Sequence, residues 1–277
     1  MDLILALKAL LLGVVEGLTE FLPISSTGHL IVAEDLVHFR PGSREAFIIA
    51  IQGGAILAVC WEYRARLWKM VLGLTHNAAE QRLAMNVAIA FVPAAVVGVL
   101  FKHVVDTVLF FPLPVAIASV IGGLVILWVE KLHARRDYRP RIESLDDIGP
   151  IDALKVGLAQ CFALIPGTSR SGATIIGGLI FGLSRTVATQ FSFFLAIPTV
   201  IGATIYALYK ARAELHAADV PLFGLGSITA FVSALICVRW LLRYVSSHDF
   251  RAFAWYRIVF GGVILLTAQL GWVNWND

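Results

Sequence analysis

The sequence predicts an all-α polytopic membrane protein, with six transmembrane helices plus two re-entrant helical hairpins in an inverted-repeat arrangement. Three observations carry this expectation. The 277 residues are 58% hydrophobic and only 15% charged, with a mean hydropathy of +0.81, and a soluble chain of this length needs more polar surface than that. Six runs approach the roughly 20 apolar residues needed to cross hydrocarbon. Two further apolar regions are each broken by a polar turn. One integral membrane domain over residues 1–277 follows, with repeat 1 at approximately 1–130, a basic loop at 131–150 and repeat 2 at approximately 151–277.

In chain order, the first broken region is Leu3–Val37, interrupted by Glu16, Glu20 and the stretch from Pro23 to His29. The spans Ala46–Trp61, Leu83–Phe101 and Thr107–Val129 come next. The second broken region, Ala153–Leu183, is interrupted from Pro166 to Gly172. Val187–Tyr209, Val220–Val238 and Ile258–Asn276 complete the set, the last extending back to about Ala252 past Arg257. Each broken region reads as two helices of about 10–16 residues, too short to span singly and suited to a re-entrant hairpin.

Basic residues in the connections set orientation, because cytoplasmic loops carry the Lys and Arg excess. Arg64, Arg66, Lys69 and Arg82 follow the first span; Lys131, Arg135, Arg136, Arg139 and Arg141 the third; Arg239, Arg243, Arg251 and Arg257 the fifth. Lys102, Lys210 and Arg212 follow the second and fourth. The odd loops are therefore expected inside and both termini outside, so that the first broken region enters from the outer face and the second from the inner face. Weak internal symmetry agrees. Gly13 is followed by Glu16 and Pro23, Gly157 by Gln160 and Pro166, and each region is followed by a span with a central proline, Pro93 or Pro198.

The net charge of +3 is spread over apolar blocks rather than clustered, which excludes a nucleic-acid-binding module. Cys60, Cys161 and Cys237 lack metal or disulfide spacing and read as small core residues. Asp2 before the first apolar run and the acids after it, with no small-residue cleavage site, argue against a cleaved signal segment.

Chemistry concentrates at the two breaks. Glu16 and Glu20 share one helix face, and an acid at a helix centre in the bilayer costs about 2.5–3.5 kcal/mol. Hard oxygen ligands at that depth point to a divalent cation, Mg2+ or Ca2+. Solvated structural acids at the interface are the plainer alternative. The hydroxyl- and glycine-rich turns Ser25–His29 and Thr168–Gly172, each opening a helix, offer free N–H donors to phosphate oxygens, and Arg170 adds a planar fork. Taken singly these hydroxyls read as helix caps; two acids, a His and an Arg at the same kind of break favour an anion with several oxygens. His29 is a candidate acid, base or nucleophile. Gln52 and Gln160 are polar partners at similar depth.

The stretch Gly13–His29 (GVVEGLTEFLPISSTGH) and the stretch Pro166–Thr174 (PGTSRSGAT) resemble the two signature motifs of the bacterial undecaprenyl-diphosphate phosphatases, also called bacitracin-resistance proteins, and the likeness extends over nearly the whole chain, including Tyr256-Arg257-Ile258. The resemblance implies hydrolysis of undecaprenyl diphosphate to the monophosphate carrier plus phosphate, with a divalent cation, in the bacterial inner membrane and at a site facing the periplasm. By the same resemblance Glu16 and Glu20 serve the metal, Arg170 the diphosphate, Ser26 and His29 the chemistry, and Thr27, Ser169, Ser171 and Thr174 donate to phosphate. Ser26 with His29 as base, His29 itself, and a metal-activated water all stand as routes of attack, with Ser26 preferred because Glu20 and His29 flank it in sequence. A secondary transporter or flippase for an anionic or lipid-linked substrate is the alternative, since broken helices meeting at the midplane also build transport sites. Paired acids beside a Ser and a His favour an enzyme. A phosphatidic-acid-type phosphatase is disfavoured because no His lies between Arg170 and His216. Oligomeric state is left open, a homo-oligomer included.

Overall fold

The computed structural model describes residues 2–39, 44–104, 109, 111–134, 139–211 and 219–273. The described residues are almost wholly helical, with a single isolated bridge between Ile142 and Leu183. The elements are α1 (Leu3–Thr19), α2 (Ser26–Leu36), α3 (Arg44–Glu62), α4 (Arg64–Gly73), α5 (Ala78–Val104), α6 (Pro112–His133), α7 (Pro150–Gln160), a 3-10 turn (Cys161–Leu164), α8 (Arg170–Ile180), α9 (Arg185–Ala211), α10 (Val220–Val245) and α11 (Arg251–Gln269). Among the described residues six helices are long and apolar enough to cross a membrane: α3, α5, α6, α9, α10 and α11.

The expected spans are all present, with shifted ends. α6 begins at Pro112 rather than Thr107 and runs on to His133; Thr107 lies outside the described residues, as do Asn274 to Asn276 at the expected end of the last span. α10 continues past Val238 through Arg239 and Arg243, because long basic side chains reach out of a helix while their stems stay on it. α11 starts at Arg251, so Arg257 belongs to the helix and not to a connection, a correction to its place in the charge tally. Arg135, Arg136 and Arg212 of that tally lie outside the described residues.

The connection after α3, read as a loop, contains the helix α4. Arg66 and Lys69 on α4 both pair with Glu80 at the start of α5, and Trp68, Val71 and Leu72 are left exposed. The two broken regions become α1 with α2, and α7 with α8. At 17, 11, 11 and 11 residues they measure about 25 Å and 16 Å.

α10 packs against α1 and α3, α6 against α11, α5 against α7, and α9 against α3 and α8. Small residues permit the α1–α10 approach. A Cβ at Gly17 would lie 2.1 Å from Ser233 Oγ and 2.4 Å from the Ala230 carbonyl, so the two backbones meet at a distance that only glycine allows. The far side of α1, with Leu3, Ile4, Leu7 and Leu11, is exposed, as a lipid-facing surface requires. The central cluster takes in Phe21 of the turn between α1 and α2 together with Phe47, Phe191 and Phe193.

Candidate active site

The turns preceding α2 and α8 adopt the same uncommon backbone. Ser25 has φ 73° and Ser169 φ 72°, each the residue directly before its helix. Non-glycine residues held at such angles cost of the order of 1–3 kcal/mol and persist where surrounding contacts dictate them. Gly167 is also at positive φ, 93°, and a Cβ there would lie 2.3 Å from the Val115 carbonyl.

Those contacts are present. Ser171 Oγ donates to the Leu22 carbonyl at 2.7 Å, pinning the start of α8 to the first turn. Arg257, 1% exposed, reaches from α11 and donates to five carbonyls: Pro23 at 3.2 Å, Gly167 at 2.9 Å, Thr168 at 2.8 Å, Ala118 at 3.2 Å and Ser119 at 3.2 Å. One guanidinium therefore ties both turns to α6. Carbonyls in a turn have no helical partner, and buried ones must find a donor.

Between the turns lies a cavity of about 190 Å³ whose polar wall is Glu20, Ser26, Thr27, Gln52, Ser169 and Arg170. Ser26 Oγ donates to Glu20 Oε2 at 2.6 Å. Arg170 donates to the other oxygen, Oε1, from Nε at 3.4 Å and Nη2 at 3.3 Å, and from Nη1 to the Ser192 carbonyl at 3.2 Å. The carboxylate thus sits between a hydroxyl and a guanidinium, both partners nearly buried, with Arg170 at 11% and Glu20 at 10% side-chain exposure. Phe21, fully buried and edge-on to Phe193 at 5.6 Å, supports the turn from below, and the Arg170 guanidinium carbon lies 5.9 Å from its ring centre.

The two helix starts differ in one respect that matters for anions. At α8, Ser169 Oγ accepts from the Gly172 N–H at 3.1 Å, so that end is capped. At α2 the Ser25 side chain makes no cap bond, leaving first-turn donors of a helix that begins at the cavity wall. An uncapped helix start presents N–H groups and the positive dipole end to an anion.

Of the ten residues that the sequence singles out, the structure brings six together at the cavity wall and sets four back. His29 is one of the four. Its Nδ1 lies 2.7 Å from the Ser25 carbonyl and its Nε2 2.6 Å from Tyr256 Oη, while its ring stacks on Phe260 with centres 3.9 Å apart. The carbonyl can only accept, so Nδ1 carries the hydrogen and Nε2 accepts from the tyrosine. Both ring nitrogens are engaged, and His29 braces the strained Ser25. Ser171 is fully buried and spent on Leu22; Thr174 donates to the Arg170 carbonyl at 2.9 Å and meets Ser192 Oγ at 2.6 Å. Glu16 is fully buried one helical turn before Glu20, and neither of its carboxylate oxygens has a hydrogen-bond partner.

Those orphaned oxygens bear on a metal. A hard cation prefers carboxylate oxygens and completes its shell with water and substrate phosphate, and the Glu16 and Glu20 donor set is of that chemistry. Among the described residues no third His, Cys, Asp or Glu side chain joins the pair. Arg257 and Ser192 are the participants that sequence reasoning passed over. The available signal for Arg257 was an arginine with no nearby acid inside the last apolar run.

The model of the bacitracin resistance protein BacA family matches residues 9–263. The chain is 60% identical over 277 residues to the undecaprenyl-diphosphatase of Janthinobacterium sp. (strain Marseille), covering all of both chains, and 58% identical, again over all of both, to that of Herminiimonas arsenicoxydans. It is 59% identical to that of Dechloromonas aromatica (strain RCB) over 99% of each chain. A family match that runs from inside α1 to inside α11 takes in both turns and every residue around the cavity, and the chain belongs to the bacitracin resistance protein BacA family.

Proposed function

We propose that this chain hydrolyses undecaprenyl diphosphate to undecaprenyl phosphate and inorganic phosphate. The reaction returns the lipid carrier to cell-wall synthesis and confers bacitracin resistance. The observation that carries the reading is the line Ser26–Glu20–Arg170 at the uncapped start of α2. A hydroxyl 2.6 Å from a carboxylate is a nucleophile with its base in place.

The chain's own groups suffice to write the chemistry. The terminal phosphoryl group docks against the α2 N–H donors and the Arg170 fork. Ser26 Oγ attacks its phosphorus, the Ser26 proton passes to Glu20 and on to the bridging oxygen as that bond breaks, releasing undecaprenyl phosphate and leaving Glu20 a carboxylate again. Water then attacks the phosphoserine with Glu20 as base, freeing phosphate and restoring the hydroxyl. Little covalent work falls to the protein in such transfers; positioning and charge stabilisation dominate. A divalent cation, Mg2+ or Ca2+, held by Glu20 and Glu16 would neutralise charge on the diphosphate when bound. Arg170 also holds the Glu20 carboxylate in place between turnovers by direct pairing. Thr27 and Ser169 line the same wall, and Gln52 faces them from α3.

The reading includes an architecture. α1 with α2 and α7 with α8 form two re-entrant hairpins of an inverted repeat, each followed by three spans: α3, α5 and α6 in one half, α9, α10 and α11 in the other. The matched φ values at Ser25 and Ser169 support it, as does the reciprocal packing of α1 on α10 and α7 on α5. This pairing sets α3 against α9, in place of the proline-bearing α5 and α9 that the sequence pairs. The protein would lie in the bacterial inner membrane with the site open to the periplasm, consistent with the basic loops on the opposite side.

The test is phosphate release from undecaprenyl diphosphate by the purified protein in detergent, with and without chelator. Release that the chelator abolishes and Mg2+ or Ca2+ restores is expected. Acid-quenched protein incubated with substrate labelled in the terminal phosphate should carry label on Ser26. Release without any labelled protein would remove Ser26 as the attacking group, and no release at all would remove the hydrolase.

A further inference from the structure

Beside its polar groups the cavity has an apolar lining, Ala163 and Ile165 after α7 and Val200 and Ala203 on α9, with Thr199 among them. Among the described lining residues Ala203 alone is exposed; the others are buried or partly so. Ala203 falls within the membrane-crossing part of α9, Arg185–Ala207, about 12 Å short of the end of that helix at ~1.5 Å per residue. The neighbouring α9 surface is apolar and open: Ile205 is 64% exposed and Tyr206 59%. α5 passes close by, since a Cβ on Gly202 would meet the Phe91 ring at 3.9 Å. The cavity therefore has charged lining at Glu20 and Arg170, and at Ala203 its lining reaches the exposed surface of a membrane-crossing helix.

From this we infer that Ala203 is the gate through which the isoprenoid tail of the substrate passes from the site into lipid, an inference that rests on the hydrolase reading. A cavity of about 190 Å³ holds the diphosphate and the first part of the chain, and the rest of a long polyprenyl tail must leave. An apolar tail exits at least cost where the path stays out of water, and the mouth at Ala203 meets that condition. Its small side chain sets the clearance. Specificity for a lipid-linked diphosphate then resides in α9, away from the residues that perform the transfer.

The experiment compares A203W with I205W, both made on exposed positions of α9, using purified protein and undecaprenyl diphosphate. A203W should lower kcat/KM roughly tenfold or more, chiefly through KM, as a ring filling a fitted path does. I205W, pointing to open lipid, should stay within about threefold of the unaltered protein. Thermal unfolding in detergent should be unchanged in both, since neither position is buried. A203W kinetics within the same threefold would overturn the gate while leaving the hydrolase intact, and so would equal losses in both variants. An unaltered protein that releases no phosphate would instead overturn the hydrolase reading itself.

Discussion

Replacing Glu20 with glutamine changes one carboxylate oxygen to an NH2 group and almost no volume. In the native site the two oxygens have separate partners: Oε1 accepts from Arg170 at 3.3 and 3.4 Å, and Oε2 from Ser26 at 2.6 Å. An amide has one acceptor. Arg170 has no acceptor capacity of its own, so it takes the amide oxygen, and the NH2 must face Ser26. The serine hydroxyl then accepts where it formerly donated, and its proton points away from any base. General base assistance contributes about 10²–10⁴-fold, and kcat should fall by that factor, equivalent to about 3–5 kcal/mol on the barrier. The assay is steady-state phosphate release at saturating substrate. A thermal unfolding scan run beside it should show a shift of a few degrees at most, since the packing survives and both contacts persist, one of them with its direction reversed. A Glu20→Gln protein with kcat within about threefold of native would refute the assignment of Glu20 as the base for Ser26.

Other perturbations test other parts of the framework. Arg170→Lys exchanges a fork that serves Glu20 and the Ser192 carbonyl for a point charge, and kcat/KM should drop about 10²-fold, on the scale of losing one preorganised donor; near-native kinetics would sink a fork-like contact to diphosphate. Arg257→Met removes the donor to the turn carbonyls of Pro23, Gly167 and Thr168, each worth about 1–3 kcal/mol when buried, so the variant should unfold at markedly lower temperature or fail to accumulate in the membrane. Equal thermal stability would show that the two turns do not depend on it. Gly17→Ala sets a methyl 2.1 Å from Ser233 Oγ and must push α1 off α10, costing about 1–3 kcal/mol by overpacking, which a lowered unfolding midpoint would register.

Much of this molecule is legible in one dimension, and the rest is not. Spans are legible because crossing hydrocarbon demands a run of uncharged residues, a property of consecutive letters; the six runs and the six observed helices agree, with errors at their ends where arginines ride on helical stems as in α10. Breaks are legible because Pro23 and Pro166 each open a hydroxyl- and glycine-rich turn, whereas Pro93 and Pro198 sit in uninterrupted apolar runs and stay helical, and the cost of acids and Arg170 in lipid marks them as functional candidates. Helix α4 was missed because its basic residues resemble a loop until Glu80 arrives from α5 to pair with them.

Which hydroxyls and which nitrogens face the cavity was settled only in three dimensions. Ser26, Ser171 and Thr174 have the same chemistry, yet one is left to face Glu20 while the others are consumed by carbonyls that the fold brings near. His29, attractive in the sequence, is turned toward the Ser25 carbonyl and Tyr256, a residue 227 positions away. Arg257 likewise acquires its meaning from five carbonyls on three separate segments. A residue's type fixes what bonds it can form; competition among partners delivered by distant segments fixes which of them it does form, and that competition exists only once the chain has packed.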